Sequence, residues 1–97
     1  MYRVHKYIIT RKNVEEEFIT LPYGATILSA ICQHDMPVLY CLVDPEETRT
    51  EERSIIVRGT GWDIDNETAN MLTYQRFNFL GTIQQYDGEL MWHVWVK

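Results

Sequence analysis

Apolar and polar positions alternate along much of this chain, and that alternation predicts strands. Residues 2–10 set Tyr2, Val4, Lys6 and Ile8 on one face and Arg3, His5, Tyr7 and Ile9 on the other. Arg11-Lys12-Asn13 reads as a polar turn, and Glu15-Glu16-Glu17 as a solvated acidic run before the apolar residues 18–21. Pro22-Tyr23-Gly24 is the next punctuation, with Gly24 free to take positive φ. Residues 25–34 fit two periods. As a strand they place Ile27, Ser29 and Ile31 opposite Leu28, Ala30 and Cys32. As a helix capped by Thr26 they line up Ile27, Leu28 and Ile31, which leads to a β-grasp-like α+β alternative. The strand is the reading taken, with Asp35-Met36-Pro37 as a hairpin turn into the apolar run 38–43.

The second half is punctuated more sharply. Residues 44–53 are charged and contain Pro45, which predicts a loop. A strand over 54–58 ends in Gly59-Thr60-Gly61-Trp62, and a short helix is expected to start near Asn66. Residues 77–86 and 90–96 flank Asp87-Gly88, a dipeptide suited to a type I′ hairpin turn. Both faces of the last strand are largely apolar, which predicts burial on two sides or a contact between subunits.

Composition supports the same class. Val, Ile, Thr, Tyr, Phe and Trp supply 37 of 97 residues and Ala only 3, so pleated surfaces are favoured over helices. The expectation is one mainly β domain over residues 1–97, a small antiparallel sheet or sandwich with at most one short helix. A core this small is helped by self-association, which points to a dimer or tetramer. The net charge of −5 argues against DNA, RNA or an anionic membrane as partner, since each needs a basic face. The longest stretch without Asp, Glu, Lys or Arg, 18–34, is interrupted by Pro22 and Gly24 and is short for a membrane span. The first residues lack a signal peptide's order of segments, so an intracellular protein is expected.

Candidate chemistry is sparse. Cys32, Cys41 and the three histidines show none of the paired spacings of a structural zinc site, so no metal or cofactor is expected. Buried thiols behaving as small hydrophobes are the plainer reading. His93, between Trp92 and Val94, reads as a hydrogen-bonded core residue rather than a catalytic base. Gly59-Thr60-Gly61-Trp62 is the most informative local feature. Glycines let backbone N–H groups approach an anion, Arg58 brings a guanidinium, and Trp62 brings a ring on which a base can stack. A tight turn with a half-buried indole explains the same residues without a ligand.

Several short pieces together resemble a family of small tailed-phage proteins. That family's pattern runs Leu-Pro-x-Gly-Ala, Ile-Leu-Ser, Leu-Trp-Ala-Leu-Val-Asp, Gly-Thr-Gly-His, Gly-Thr and His-Val. The matching residues are Leu21-Pro22-Tyr23-Gly24-Ala25, Ile27-Leu28-Ser29, Leu39-Tyr40-Cys41-Leu42-Val43-Asp44, Gly59-Thr60-Gly61-Trp62, Gly81-Thr82 and His93-Val94. Tyr40 stands where the pattern has Trp, and Trp62 where it has His. The resemblance implies a phage immune-evasion protein related to viral anti-CBASS sponges. Such a protein sequesters a cyclic dinucleotide signal without cleaving it, as a homo-oligomer in the cytoplasm of the infected bacterial host. On that reading Tyr40, Arg58, Thr60, Gly61 and Trp62 bind the ligand, and no residue is catalytic. The competing expectation is a phage interaction module whose acidic surface inhibits a host protein by direct contact.

Overall fold

A computed structural model describes residues 1–10 and 16–97 of the chain. They form β1 (Arg3–Ile8), β2 (Glu17–Pro22), β3 (Thr26–Gln33), β4 (Met36–Val43), β5 (Thr50–Gly59), α1 (Asn66–Tyr74), β6 (Asn78–Gln85) and β7 (Leu90–Val96). The class is mainly β with one short helix, as the alternation predicts. The turn expected at Arg11-Lys12-Asn13, and Glu15 of the acidic run, lie outside the described residues. Among the described residues no helix is long and apolar enough to cross a membrane.

The strands make two antiparallel sheets, one ordered β1-β4-β3 and the other β2-β5-β7-β6. Alternation sends every second residue of each sheet inward. Leu39, Cys41 and Val43 of β4 thereby meet Ile55, Val57, Val94 and Val96 of β5 and β7 in one core. Each buried aliphatic side chain there contributes about 1.5–3 kcal/mol. The Cα extents of 41 × 32 × 16 Å fit two layers whose facing sheets stand about 10 Å apart.

The β-grasp alternative is excluded, because residues 26–33 are strand. Its cause is legible in the register, which shifts at a bulge between Ile27 and Ser29. With Leu28 as the extra residue, Ile27 and Ala30 both pack on the core. That three-residue spacing imitates a helical period. The following turn is His34-Asp35, one residue earlier than Asp35-Met36-Pro37. Both residues are left-handed (φ 52° and 61°) between the paired Gln33 and Met36. His and Asp tolerate that region, and the resulting twist suits a two-residue hairpin. Pro37 instead belongs to β4, and its carbonyl accepts the Ile9 N–H at 2.9 Å.

The predicted loop over 44–53 is shorter, since β5 begins at Thr50. Its charges had concealed a strand whose Arg53 is satisfied mainly by partners distant in the chain. Arg53 donates to the Lys97 and Ala25 carbonyls, both at 2.9 Å, and to the Glu51 carboxylate at 3.2 Å. Glu17, read as part of a solvated run, is buried and accepts a hydrogen bond from Thr10 Oγ1 at 2.9 Å. Asp87-Gly88 makes the expected type I′ turn, with φ 55° and 87° and the Glu89 N–H on the Tyr86 carbonyl at 3.1 Å. β7 is an interior strand, and its second apolar row is occupied within the chain: Trp95 tilts against Phe79, ring centres 5.3 Å apart.

Candidate functional site

Gly59 ends β5 and opens a tight turn. The Thr60 N–H donates to the Met91 carbonyl at 3.1 Å, and the Trp62 N–H returns to Gly59 at 3.2 Å. Gly61 takes φ +84° at the turn's third position, where a Cβ would be strained. Gly59 has a different task. A Cβ there would lie 2.7 Å from Trp62 Cδ1 and 3.0 Å from Trp92 Cζ3, so its absence lets two indoles approach the strand. Trp92 is buried and donates Nε1–H to Gln85 Oε1 at 2.8 Å, while Trp62 remains 62% exposed. Between Trp62 and residues Leu90, Met91 and Trp92 lies a cavity of about 300 Å³, with Glu89 as the ionisable side chain of its lining.

Across β5, on the outward row, stands His93. Thr60 Oγ1 lies 2.7 Å from its Nε2 and Thr82 Oγ1 lies 2.9 Å from its Nδ1. A neutral imidazole has one N–H and one bare nitrogen, so it donates to one threonine and accepts from the other. Both hydroxyls are thereby oriented, and the turn after β5 is tied to β6 through β7. Sequence reasoning placed a hydrogen bond on His93 but put the residue in the core, whereas it stands partly exposed on the outward row, and it missed the cluster. Its signal was present, because the Gly-Thr-Gly, Gly-Thr and His-Val pieces meet here.

The five residues expected to bind a ligand do not form one pocket. Thr60 and Trp62 line the cavity, and Gly61 shapes the turn between them. Arg58 pairs with His93 on the outward row, whereas Trp62 sits against Gly59 and Trp92 on the inward side. Arg58 is only 7% exposed and donates Nη1–H to the Val57 carbonyl at 3.1 Å. Burial pulls its pKa below the ordinary arginine value, and the nearby Asp65 carboxylate opposes that shift. Tyr40 is farther away, on the outer face of the three-stranded sheet, donating its hydroxyl to Gln33 Oε1 at 2.9 Å. The turn from Gly59 to Trp62, which folds the indole back against Gly59, explains the separation of Arg58 from Trp62, and membership of different sheets explains that of Tyr40.

Two other features border this region. A second cavity of about 330 Å³ opens between Ile56 of β5 and Thr68 and Met71 of α1, and carries the Glu16, Asp65 and Glu67 carboxylates. Asp65 caps α1, accepting the Thr68 N–H at 2.7 Å and the Thr68 hydroxyl at 3.1 Å. Cys41 is fully buried, and burial pushes its thiol pKa up, which disfavours the thiolate a nucleophile needs.

No curated protein and no solved structure matches the chain. A family match does extend across the whole of it, taking in the turn, the cavity and the histidine cluster alike. Over residues 1–97 the chain belongs to the family described as Domain of unknown function (DUF7352).

Proposed function

We propose that this protein is a non-catalytic binder that captures a base-bearing small molecule, and that its ligand is a cyclic dinucleotide immune signal. One observation carries the reading: an exposed indole, Trp62, is held over a glycine beside a cavity of about 300 Å³. Base stacking on such a ring is tolerant of sequence and needs only a flat open face. The cavity is at the small end of ligand pockets, so it suits one base rather than a whole dinucleotide. The ligand class comes from the resemblance to small tailed-phage proteins, which makes the setting the cytoplasm of an infected bacterium.

Arg58 takes a supporting part in this reading. Its buried guanidinium is occupied by the Val57 carbonyl and lies across β5 from the indole. Stacking on the indole then carries most of the affinity, so binding depends weakly on salt. His93 holds Thr60 in place and is assigned no proton-transfer step.

Calorimetric titration with a panel of cyclic dinucleotides tests the proposal. Trp62→Ala is expected to weaken binding by about 5- to 150-fold, the equivalent of about 1–3 kcal/mol. Trp62→Phe should retain most of the affinity, and mass spectrometry should recover the ligand intact. Absence of binding by the unaltered protein, or full affinity in Trp62→Ala, overturns the reading. Cleaved ligand would make the protein an enzyme instead.

A further inference from the structure

We infer that the Glu89 carboxylate makes the cavity beside Trp62 selective for guanine, so that the ligand is a cyclic dinucleotide with at least one guanine base. The inference rests on the ligand reading above and narrows it from any base to one. Register brings Glu89 to the site. Gly59 pairs with Trp92, and the Thr60 N–H on the Met91 carbonyl carries the turn alongside the first residues of β7. Glu89 immediately precedes that strand. Its backbone is fixed, because its N–H closes the hairpin turn on the Tyr86 carbonyl at 3.1 Å. Glu89 is exposed in the cavity's lining, and among the described residues no Lys or Arg pairs with it.

The polar groups around the cavity decide what a ligand must bring. The N–H groups of Thr60, Trp62 and Glu89 already donate within the chain, and the Trp92 indole N–H donates to Gln85. The Thr60 hydroxyl is held on His93. Leu90 and Met91 add apolar surface. The group left open is therefore a carboxylate, an acceptor with two oxygens and no proton to give. It repels phosphate, which turns the sugar–phosphate ring outward and the base inward, against Trp62.

A base stacked on an aromatic ring is read along its Watson–Crick edge. Guanine presents two donors side by side there, the ring N1–H and the 2-amino group, which meet both oxygens of one carboxylate. Adenine and cytosine each set one amino donor beside a bare ring nitrogen, whose lone pair would face the second oxygen. Uracil sets a single N–H between two carbonyls. Guanine alone satisfies the carboxylate without opposing a lone pair to it. A two-bond contact of this kind separates the right base from a wrong one by about 5- to 150-fold.

Calorimetric titration of the full chain with cyclic di-guanylate, cyclic di-adenylate and cyclic di-inosinate tests this. Di-guanylate should bind about 5- to 150-fold tighter than di-adenylate. Inosine lacks the 2-amino group, so di-inosinate should fall between them. Glu89→Gln puts a donor where an acceptor stood, and should bring di-guanylate down to the di-adenylate level with an unchanged far-ultraviolet spectrum. Trp62→Ala should weaken both ligands and keep their ratio. Equal affinity for the guanine and adenine ligands, both lowered by Trp62→Ala, overturns the guanine preference and leaves the stacking reading standing. A guanine preference that survives Glu89→Gln overturns the part given to Glu89. Binding of none of the three overturns the stacking reading and the guanine preference together.

Discussion

The two sheets supply similar inner rows to the core, and on both outer faces buried residues of the interior strands are flanked by half-exposed edge residues. What shields the buried ones differs. On the four-stranded sheet Ile56 is 1% and Arg58 7% exposed, and His93 holds two threonine hydroxyls beside the Trp95–Phe79 pair. On the three-stranded sheet the buried Val38 of β4 is flanked only by the half-exposed Ile8 of β1 and Ile31 of β3. The difference follows from what connects the strands. Residues 60–77 leave β5, form α1 over Ile56 and return to β6, whereas β3 and β4 are joined by two residues. A tight hairpin has no chain left over with which to cover its own sheet.

Substitutions can test that contrast, beginning with what the sheets share. Leu39→Ala in β4 and Ile55→Ala in β5 are each expected to cost about 2–5 kcal/mol, since both leave cavities in one core. Urea unfolding followed by tryptophan fluorescence and by far-ultraviolet circular dichroism should give one coincident transition for each variant. Two separate transitions would mean that the sheets are independently stable.

The outer faces should then diverge. Arg58→Ala strips a buried donor from the Val57 carbonyl and is expected to cost about 1–3 kcal/mol in the same titration. A midpoint unchanged by Arg58→Ala would show that water replaces the guanidinium and that this face is less closed than its burial implies.

The smallest effect belongs to the helix. Asp65→Ala should reduce the helical signal, because α1 buries none of its own residues and depends on its cap. The Asp65 carboxyl is held below the usual carboxylate range, first by the Thr68 N–H, then by the Thr68 hydroxyl, with a smaller contribution from Arg58. A depressed folded pKa stabilises the helix above the unfolded value of about 3.9, and the benefit is lost as pH falls through the lower folded value. The unaltered protein should therefore begin to approach Asp65→Ala as pH falls below about 4 and converge on it once pH passes the lower folded value. Spectra that differ equally at pH 7 and at acid pH would assign the cap's contribution to something other than its charge.

Much of the fold was legible beforehand. The type I′ turn at Asp87-Gly88, the helix start near Asn66 and the strand character of residues 26–33 follow from local backbone preference and side-chain period. Where the reading slipped, a tertiary contact had changed the local rule. Charged residues 50–53 became strand because Arg53 found carbonyls on Ala25 and Lys97, 28 and 44 residues away. The site was legible only in pieces. Thr60, Gly61 and Trp62 stay together because a turn keeps neighbours together.

Sequence alone determined a mainly β chain, its hairpin punctuation and the glycine turn beside an indole, because short-range sterics and alternation decide such features. Only the tertiary structure decided that Tyr40 lies on a different sheet from Trp62 and that His93 joins Thr60 to Thr82. Those relations depend on register between strands distant in the chain. A shift of one residue would have reversed every face.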